Sequence, residues 1–302
     1  MTPALSQILI LFSFGAIGFL LSKINKLKTE HSPILSSLLV NVFLPLNVYK
    51  TFSANFTRSY ISKNYMLILG SALIVIVLVI IMNLVARLFD KRKYERSVYE
   101  YSLVIPNSGY MGYPMAEAVL GEVGLLNVMM FCLPLSMYIY TIGYSRLTKR
   151  ELSLKKAFNP AMIAMILGAI TGFIGINIPD IAVKIMSNAS SCMGPVSMLL
   201  AGIVVSEFKI KEVLLEKRIY IVTALRLVII PVIVGTVIHF FNFRTLLECS
   251  VLIYAMPCGL NTIVFPRLVG EDCKTGAGLA LISNILACFT IPLVLGLFNI
   301  GG

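Results

Sequence analysis

Charged side chains are scarce in this chain. Lys, Arg, Asp and Glu make up 13% of its 302 residues, about half the roughly 25% found in soluble domains. Apolar residues reach 58%, more than a water-soluble shape of this size hides. A soluble enzyme or scaffold is excluded, and an integral membrane protein remains. Histidine is almost missing: His31 and His239 lie far apart, so no zinc or haem site is expected. The six cysteines, Cys132, Cys192, Cys249, Cys258, Cys273 and Cys288, form no CxxC pair and sit mostly in apolar stretches. They read as packing residues. There is no GxxxxGK[ST] loop, no HExxH, no GxSxG and no acidic pair at metal-ligand spacing. Residues 276–281, GAGLAL, follow no strand and make no dinucleotide fingerprint. Serine and cysteine nucleophiles lack a nearby histidine. No enzyme, metal or cofactor is expected.

What charge there is carries one sign, a net +11. In a membrane protein this excess marks the cytoplasmic side rather than a nucleic-acid partner. Apolar stretches of membrane-crossing length run at about 5–22, 33–49, 65–86, 97–121, 124–145, 159–177, 180–206, 219–241, 246–269 and 275–299. Ten spans result, in two groups of five around the basic segment SRLTKRELSLKK (145–156). The first apolar run has no basic region before it, while Lys23, Lys26 and Lys28 follow it. It reads as a retained span, not a cleaved signal. Loops after the odd spans hold nineteen basic residues. The even loops and termini hold five: Lys50, Arg58, Lys63, Lys184 and Arg244. The bias puts both termini outside a cytoplasmic membrane.

The halves echo each other. Pro45 and Pro195 are 150 residues apart, Pro106 and Pro257 are 151, and Pro114 and Pro266 are 152. IPNSGYMGYP (105–114) in span 4 faces MPCGLNTIVFP (256–266) in span 9. An odd number of spans per half makes the repeat inverted, a common build of secondary transporters. The expected organisation is a first repeat over 1–146, a cytoplasmic linker over 147–157 and a second repeat over 158–302. Proline removes a backbone donor and clashes one turn back. Broken helix is tolerated at membrane depth only where it is buried in protein or lines a wet cavity. Matched breaks in helices 4 and 9 therefore point to a substrate site, with Pro106, Asn107, Gly109, Tyr110, Gly112, Pro257, Gly259, Asn261 and Thr262 as its candidate residues. Pro114, Pro266 and Pro45 are structural breaks. Half-helix N-termini favour an anion such as a carboxylate. Neither 105–114 nor 256–266 holds an acidic residue, which argues against a cation exchanger.

PNSGYMGYP resembles the span-4 motif of the auxin efflux carrier family, with its Pro-Asn at the break and Met-Gly-x-Pro soon after. AMPCGLNTIVFPRLVGED, NPAMIAMILGAITGFIGINIP, GPVSMLLAGIVVS and LRLVIIP resemble the family's spans 9, 6, 7 and 8. The resemblance implies ten spans in two inverted repeats, helices 4 and 9 crossing at the transport site, external termini and a homodimer. It implies an organic-anion substrate whose carboxylate meets Asn107. Cys258 stands where the second repeat would carry the counterpart of Asn107, a departure from the pattern. Spans 1, 2, 6 and 7 would form a scaffold, and spans 3–5 and 8–10 the moving unit of an alternating-access exporter. A sodium-coupled symporter of the bile-acid type and a non-transporting membrane sensor remain as alternatives.

Other polar residues in the spans have two readings each. Arg226, well inside span 8, must face protein or a cavity, either contacting substrate or capping carbonyls of a broken helix. Glu100 is read as a residue of the cytoplasmic rim or a proton acceptor. Asn41, Pro45 and Asn47 either kink span 2 or support the crossing. Tyr138, Tyr140 and Tyr144 read as interfacial anchors.

Overall fold

The computed structural model describes residues 3–151, 160–206 and 215–301. Every regular element among them is helical, and the extended backbone that pairs is an isolated antiparallel bridge between Pro106 and Cys258. Six helices are long and apolar enough to cross a membrane: α2 (Ser32–Asn55), α3 (Arg58–Phe89), α5 (Tyr113–Thr148), α7 (Asp180–Ser206), α8 (Lys217–His239) and α11 (Lys274–Leu297). Two more are apolar but shorter in their apolar part, α1 (Pro3–Lys23) and α6 (Pro160–Ile174). The remaining three are brief: α4 (Lys93–Val104), α9 (Arg244–Tyr254) and α10 (Asn261–Val269). Most of the expected linker lies outside the described residues. Leu147 and Thr148 form the last turn of α5, and Lys149 closes it at φ 55°.

Proline explains three of the four changes of pitch among the described residues; the fourth, Ile139–Gly143, runs into no proline. Wide turns with i→i+5 bonding occupy Leu39–Phe43, Ser108–Gly112 and Leu225–Ile229. Each runs straight into a helix whose second residue is a proline: Pro45, Pro114 or Pro231. Proline has no N–H for the usual i→i−4 bond, and its ring presses on that carbonyl. Widening the preceding turn gives the ring room without ending the helix. Pro106 acts more sharply. The residue before a proline is pushed out of the helical region, and Ile105 sits at φ −103°, ψ 114°.

α5 is itself two pieces. Gly121 takes φ 72°, ψ −173°, and a Cβ placed on Gly124 would come 2.1 Å from Leu120 Cβ. In a continuous helix such i,i+4 atoms stand about 5–6 Å apart. The chain therefore folds sharply between Leu120 and Gly124, where the sequence separates spans 4 and 5.

α1 packs chiefly on α7, and α2 on α6; α3 packs on α4 and α5, while α8 packs on α9 and α11. The enclosed centre is formed by Tyr101, Leu103, Met111, Phe131, Leu252 and Tyr254. α3 turns Leu69, Leu73, Ile76, Ile80, Leu84 and Leu88 outward, a stripe that suits lipid, since tails are as apolar as leucine.

Polar contacts tie the helix ends into two groups. On one, Asp90 pairs with Arg92 at 2.9 Å and Arg218 at 3.2 Å. Lys149 reaches Glu271 at 2.5 Å, and the Tyr94 hydroxyl donates to the Asp272 carbonyl at 2.7 Å. Lys23 donates to the Ser206 carbonyl at 3.0 Å. The Arg92 hydrogen bond, helped by its charge and that of Arg218, holds the Asp90 carboxyl at about 2. On the other, Arg244 donates to the carbonyls of Phe298 and Asn299 at 3.1 and 2.5 Å. The basic odd-numbered loops are thus joined to one another.

Candidate functional site

Two interruptions meet near the centre of the bundle. α4 ends at Val104, and helical turns resume at Ser108; α9 ends at Tyr254, and α10 begins at Asn261. Between them, Asn107 N–H donates to the Pro257 carbonyl at 2.8 Å, and Gly259 N–H donates to the Ile105 carbonyl at 3.2 Å. Cys258 N–H donates to Ser283 Oγ of α11 at 3.1 Å. Backbone groups that two broken helices leave unpaired thus find partners in each other, as an apolar setting demands. Position 259 is a close approach that favours glycine. A Cβ there would lie 3.2 Å from the Ile105 oxygen and 3.3 Å from that of Pro106, so the two segments would have to give by a few tenths of an ångström.

The bridge forms one wall of a cavity of about 70 Å³. That is several times the volume a single water needs. Its polar end holds Asn107, Ser108, Gly109, Gly259 and Asn261; its apolar walls come from Leu44, Val48 and Phe52 of α2, Met129 and Leu133 of α5, and Met162 and Met165 of α6. Among the described residues every lining side chain is uncharged. Asn107 is 2% exposed, and neither its amide oxygen nor its amide nitrogen has a partner among the described residues. A buried amide left unpaired costs about 1–3 kcal/mol, so a bound group that satisfied both atoms would recover that energy. The half-helices that start here have no side-chain cap at Asn107 or Leu260, and their partial positive ends favour negative charge.

Of the residues singled out from the sequence, Pro106, Asn107, Gly109, Gly259 and Asn261 line this cavity. Asn261 is partly engaged, its amide donating to the Tyr101 hydroxyl at 3.0 Å. Thr262 turns away, donating to the Gly259 carbonyl at 3.0 Å. Gly112 packs against Ile253, and Pro257 contributes its carbonyl to the bridge. Only the backbone of Tyr110 is described. Pro114 and Pro266 sit inside helices, one after a wide turn and one within α10, and Pro45 follows the wide turn of α2. Arg226 lies behind the bridge, outside the cavity lining. It is fully buried, with Nη1 donating to the Leu103 carbonyl at 3.3 Å and Nη2 to the Ile253 carbonyl at 3.5 Å.

Two sequence readings are corrected. Glu100 is not on a solvent-facing rim. It is 2% exposed, accepting from Asn83 at 3.0 Å and Tyr138 at 3.1 Å and pairing with Arg146. Tyr138 is accordingly no interfacial anchor, since its hydroxyl is spent on that carboxylate, and Tyr140 lines the cavity with its ring against Phe265. Sequence reasoning also missed Ser108, Ser136 and Tyr113 in the lining. Ser136 had one signal, a lone hydroxyl two residues after Pro134 in an apolar run.

A helical, membrane-type bundle around a half-polar central cavity suits a carrier. The chain belongs to the membrane transport protein family, that of the auxin efflux carriers, which it matches over residues 3–154 and 145–295. It is 26% identical to an uncharacterised transporter of Methanocaldococcus jannaschii over 303 residues, covering 95% of this chain and 96% of the relative. An uncharacterised transporter of Methanothermobacter thermautotrophicus is 24% identical over 298 residues, 92% of each chain. The family and both relatives are transporters, not enzymes.

Proposed function

We propose that this protein is a secondary transporter of small organic anions that binds the substrate carboxylate at the paired interruptions and exports it by alternating access. The observation that carries this reading is Asn107, a residue of the cavity lining whose two buried amide atoms have no partner among the described residues. An oxygen of the carboxylate would accept from Nδ2, and the uncapped helix starts at Ser108 and Asn261 would add favourable dipoles. The apolar walls favour a substrate with one ionised end and an apolar body. With no charged side chain in the lining among the described residues, binding there would rest on dipoles, which hold an anion without trapping it.

Ten spans in two inverted repeats fit the packing. Exchanging span 1 with 6 and span 2 with 7 turns the α1–α7 contact into the α6–α2 contact, and both are extensive. The same exchange maps α3 on α4 and α5 onto α8 on α9 and α11, contacts that also occur. Spans 1, 2, 6 and 7 would be the scaffold and dimer face, with spans 3–5 and 8–10 moving past it. The linked basic loops support a cytoplasmic assignment for that group, with both termini outside the cytoplasmic membrane.

The test is a thermal-shift screen of small mono- and dicarboxylates on the purified protein and on Asn107→Ala. A carboxylate that stabilises the wild type and not the variant is expected. Equal stabilisation of both proteins by the best ligand would remove Asn107 as its anchor, and stabilisation by none would remove the substrate class.

A further inference from the structure

We propose that Arg226 is a resident counter-cation, a positioning residue that ties the ends of the two interrupted helices together and occupies the place a co-transported alkali ion would need. The carbonyls it reaches, those of Leu103 and Ile253, belong to the last turns of α4 and α9. The last carbonyls of a helix lack partners within it, although that of Ile253 also accepts from Met256 N–H just past the helix end at 3.2 Å, and each helix end carries a partial charge of about −0.5. Two such ends converging in an apolar interior sum to roughly one negative charge, and a single guanidinium answers it. Arg226 is fully buried and forms no ion pair among the described residues. Its guanidinium carbon stands 5.3 Å from the centre of the Tyr254 ring, an added favourable contact for a cation. A buried cation with no carboxylate partner is costly to hold, so its persistence here calls for compensation of the kind these helix ends supply.

Position follows from the same contacts. Leu103 lies two residues before the Ile105 carbonyl that accepts from Gly259, and Ile253 lies four before the Pro257 carbonyl that accepts from Asn107. Arg226 therefore clamps the bridge from behind while Asn107 faces the cavity in front. In carriers built around broken helices, half-helix carbonyl ends are where coupling cations bind. Here both ends already accept from a side chain that cannot leave, and that half of the inference rests on the carrier reading above. The clamp itself does not.

The experiment compares purified wild type, Arg226→Ala, Arg226→Lys, Arg226→Met and Asn107→Ala in thermal melts. Each is run with guanidinium, sodium or choline chloride at equal, non-denaturing ionic strength and without any substrate. Arg226→Ala is expected to melt roughly 5–10 °C below wild type. Guanidinium should restore several degrees to it saturably, and to neither wild type nor Asn107→Ala. Wild type should melt alike in sodium and choline. The inference is overturned if Arg226→Ala matches wild type, if guanidinium shifts every protein equally, or if sodium stabilises wild type over choline. Should Arg226→Ala fail to fold, the other pair decides. Arg226→Lys must outlast Arg226→Met, and equal loss in both overturns the role of charge. The carboxylate screen on Asn107→Ala succeeds or fails separately.

Discussion

Replacing Asn107 with leucine, which has nearly the same shape, should make the unliganded protein more stable. The wild-type side chain buries two polar atoms that nothing among the described residues satisfies, at a cost of about 1–3 kcal/mol. Leucine removes that cost and adds apolar contact with the walls made by Val48, Phe52 and Met129. The expected gain is ~1–2 kcal/mol, or a rise of about 2–8 °C at the 2–4 °C per kcal/mol of larger domains. Ligand binding should move the other way. A charge-assisted hydrogen bond is worth roughly 1.5–3 kcal/mol, so carboxylate affinity should fall about 10- to 150-fold. Both effects are read in one set of melts at fixed scan rate and detergent, because membrane-protein unfolding is often irreversible. Asn107→Ala is less diagnostic here, since the space it leaves offsets the gain. Finding Asn107→Leu less stable than wild type without ligand would refute the reasoning, for it would mean the amide is satisfied in the resting protein.

Three further outcomes follow from other parts of the structure. Arg146 is 37% exposed at its side chain while Glu100 is 2%, so the pair is only partly desolvated. Glu100→Gln should cost ~1–2 kcal/mol, and a double-mutant cycle with Arg146→Met should show coupling; zero coupling would contradict the contact. A Cβ at Gly202 would lie 2.0 Å from the Gly15 oxygen and 2.7 Å from Phe19 N on α1. Gly202→Val should therefore destabilise by about 1–3 kcal/mol, whereas Gly296→Ala, with nothing within 4 Å, should be neutral. Asp90 is held at about 2, below its ordinary 3.8. A depressed folded pKa means the stabilisation is whole above the ordinary value and fades as pH falls from about 4 to 2. The deficit of Asp90→Asn, ~1 kcal/mol or less after solvent screening, should be constant from pH 7 to 5 and shrink below 4.

Much of the interruption was legible because its causes are local. Pro106 forces Ile105 out of the helix by sterics alone, and Gly121 falls beside Glu122 where the charge-poor stretch had to turn. Several segments rich in lysine and arginine are also the ones that Asp90, Lys149 and Glu271 tie together. The cavity was legible only on its polar side. Which faces of α2, α5 and α6 turn inward depends on rotation about the helix axis; α5 and α6 are apolar nearly all round and α2 scatters its polar residues around the helix, so periodicity carries little signal. Tyr140 therefore looked like an anchor, and Phe52 and Met165 had no mark at all. The roles of Glu100 and Arg226 were hidden for another reason: their partners lie 17, 38, 46, 27 and 123 positions away, and only the folded chain brings them together.

The account stands on the contact between the two interruptions, and a disulfide reports it directly. The bonds from Asn107 to Pro257 and from Gly259 to Ile105 make residues 106 and 258 a non-hydrogen-bonded antiparallel pair, whose Cα atoms lie about 4.5 Å apart, within disulfide range. Pro106→Cys, oxidised in the folded state with a membrane-permeant catalyst and mapped by peptide mass, should join to the native Cys258 within one chain. A monodisperse protein that forms no such link, or that joins the introduced thiol to another cysteine instead, would contradict it.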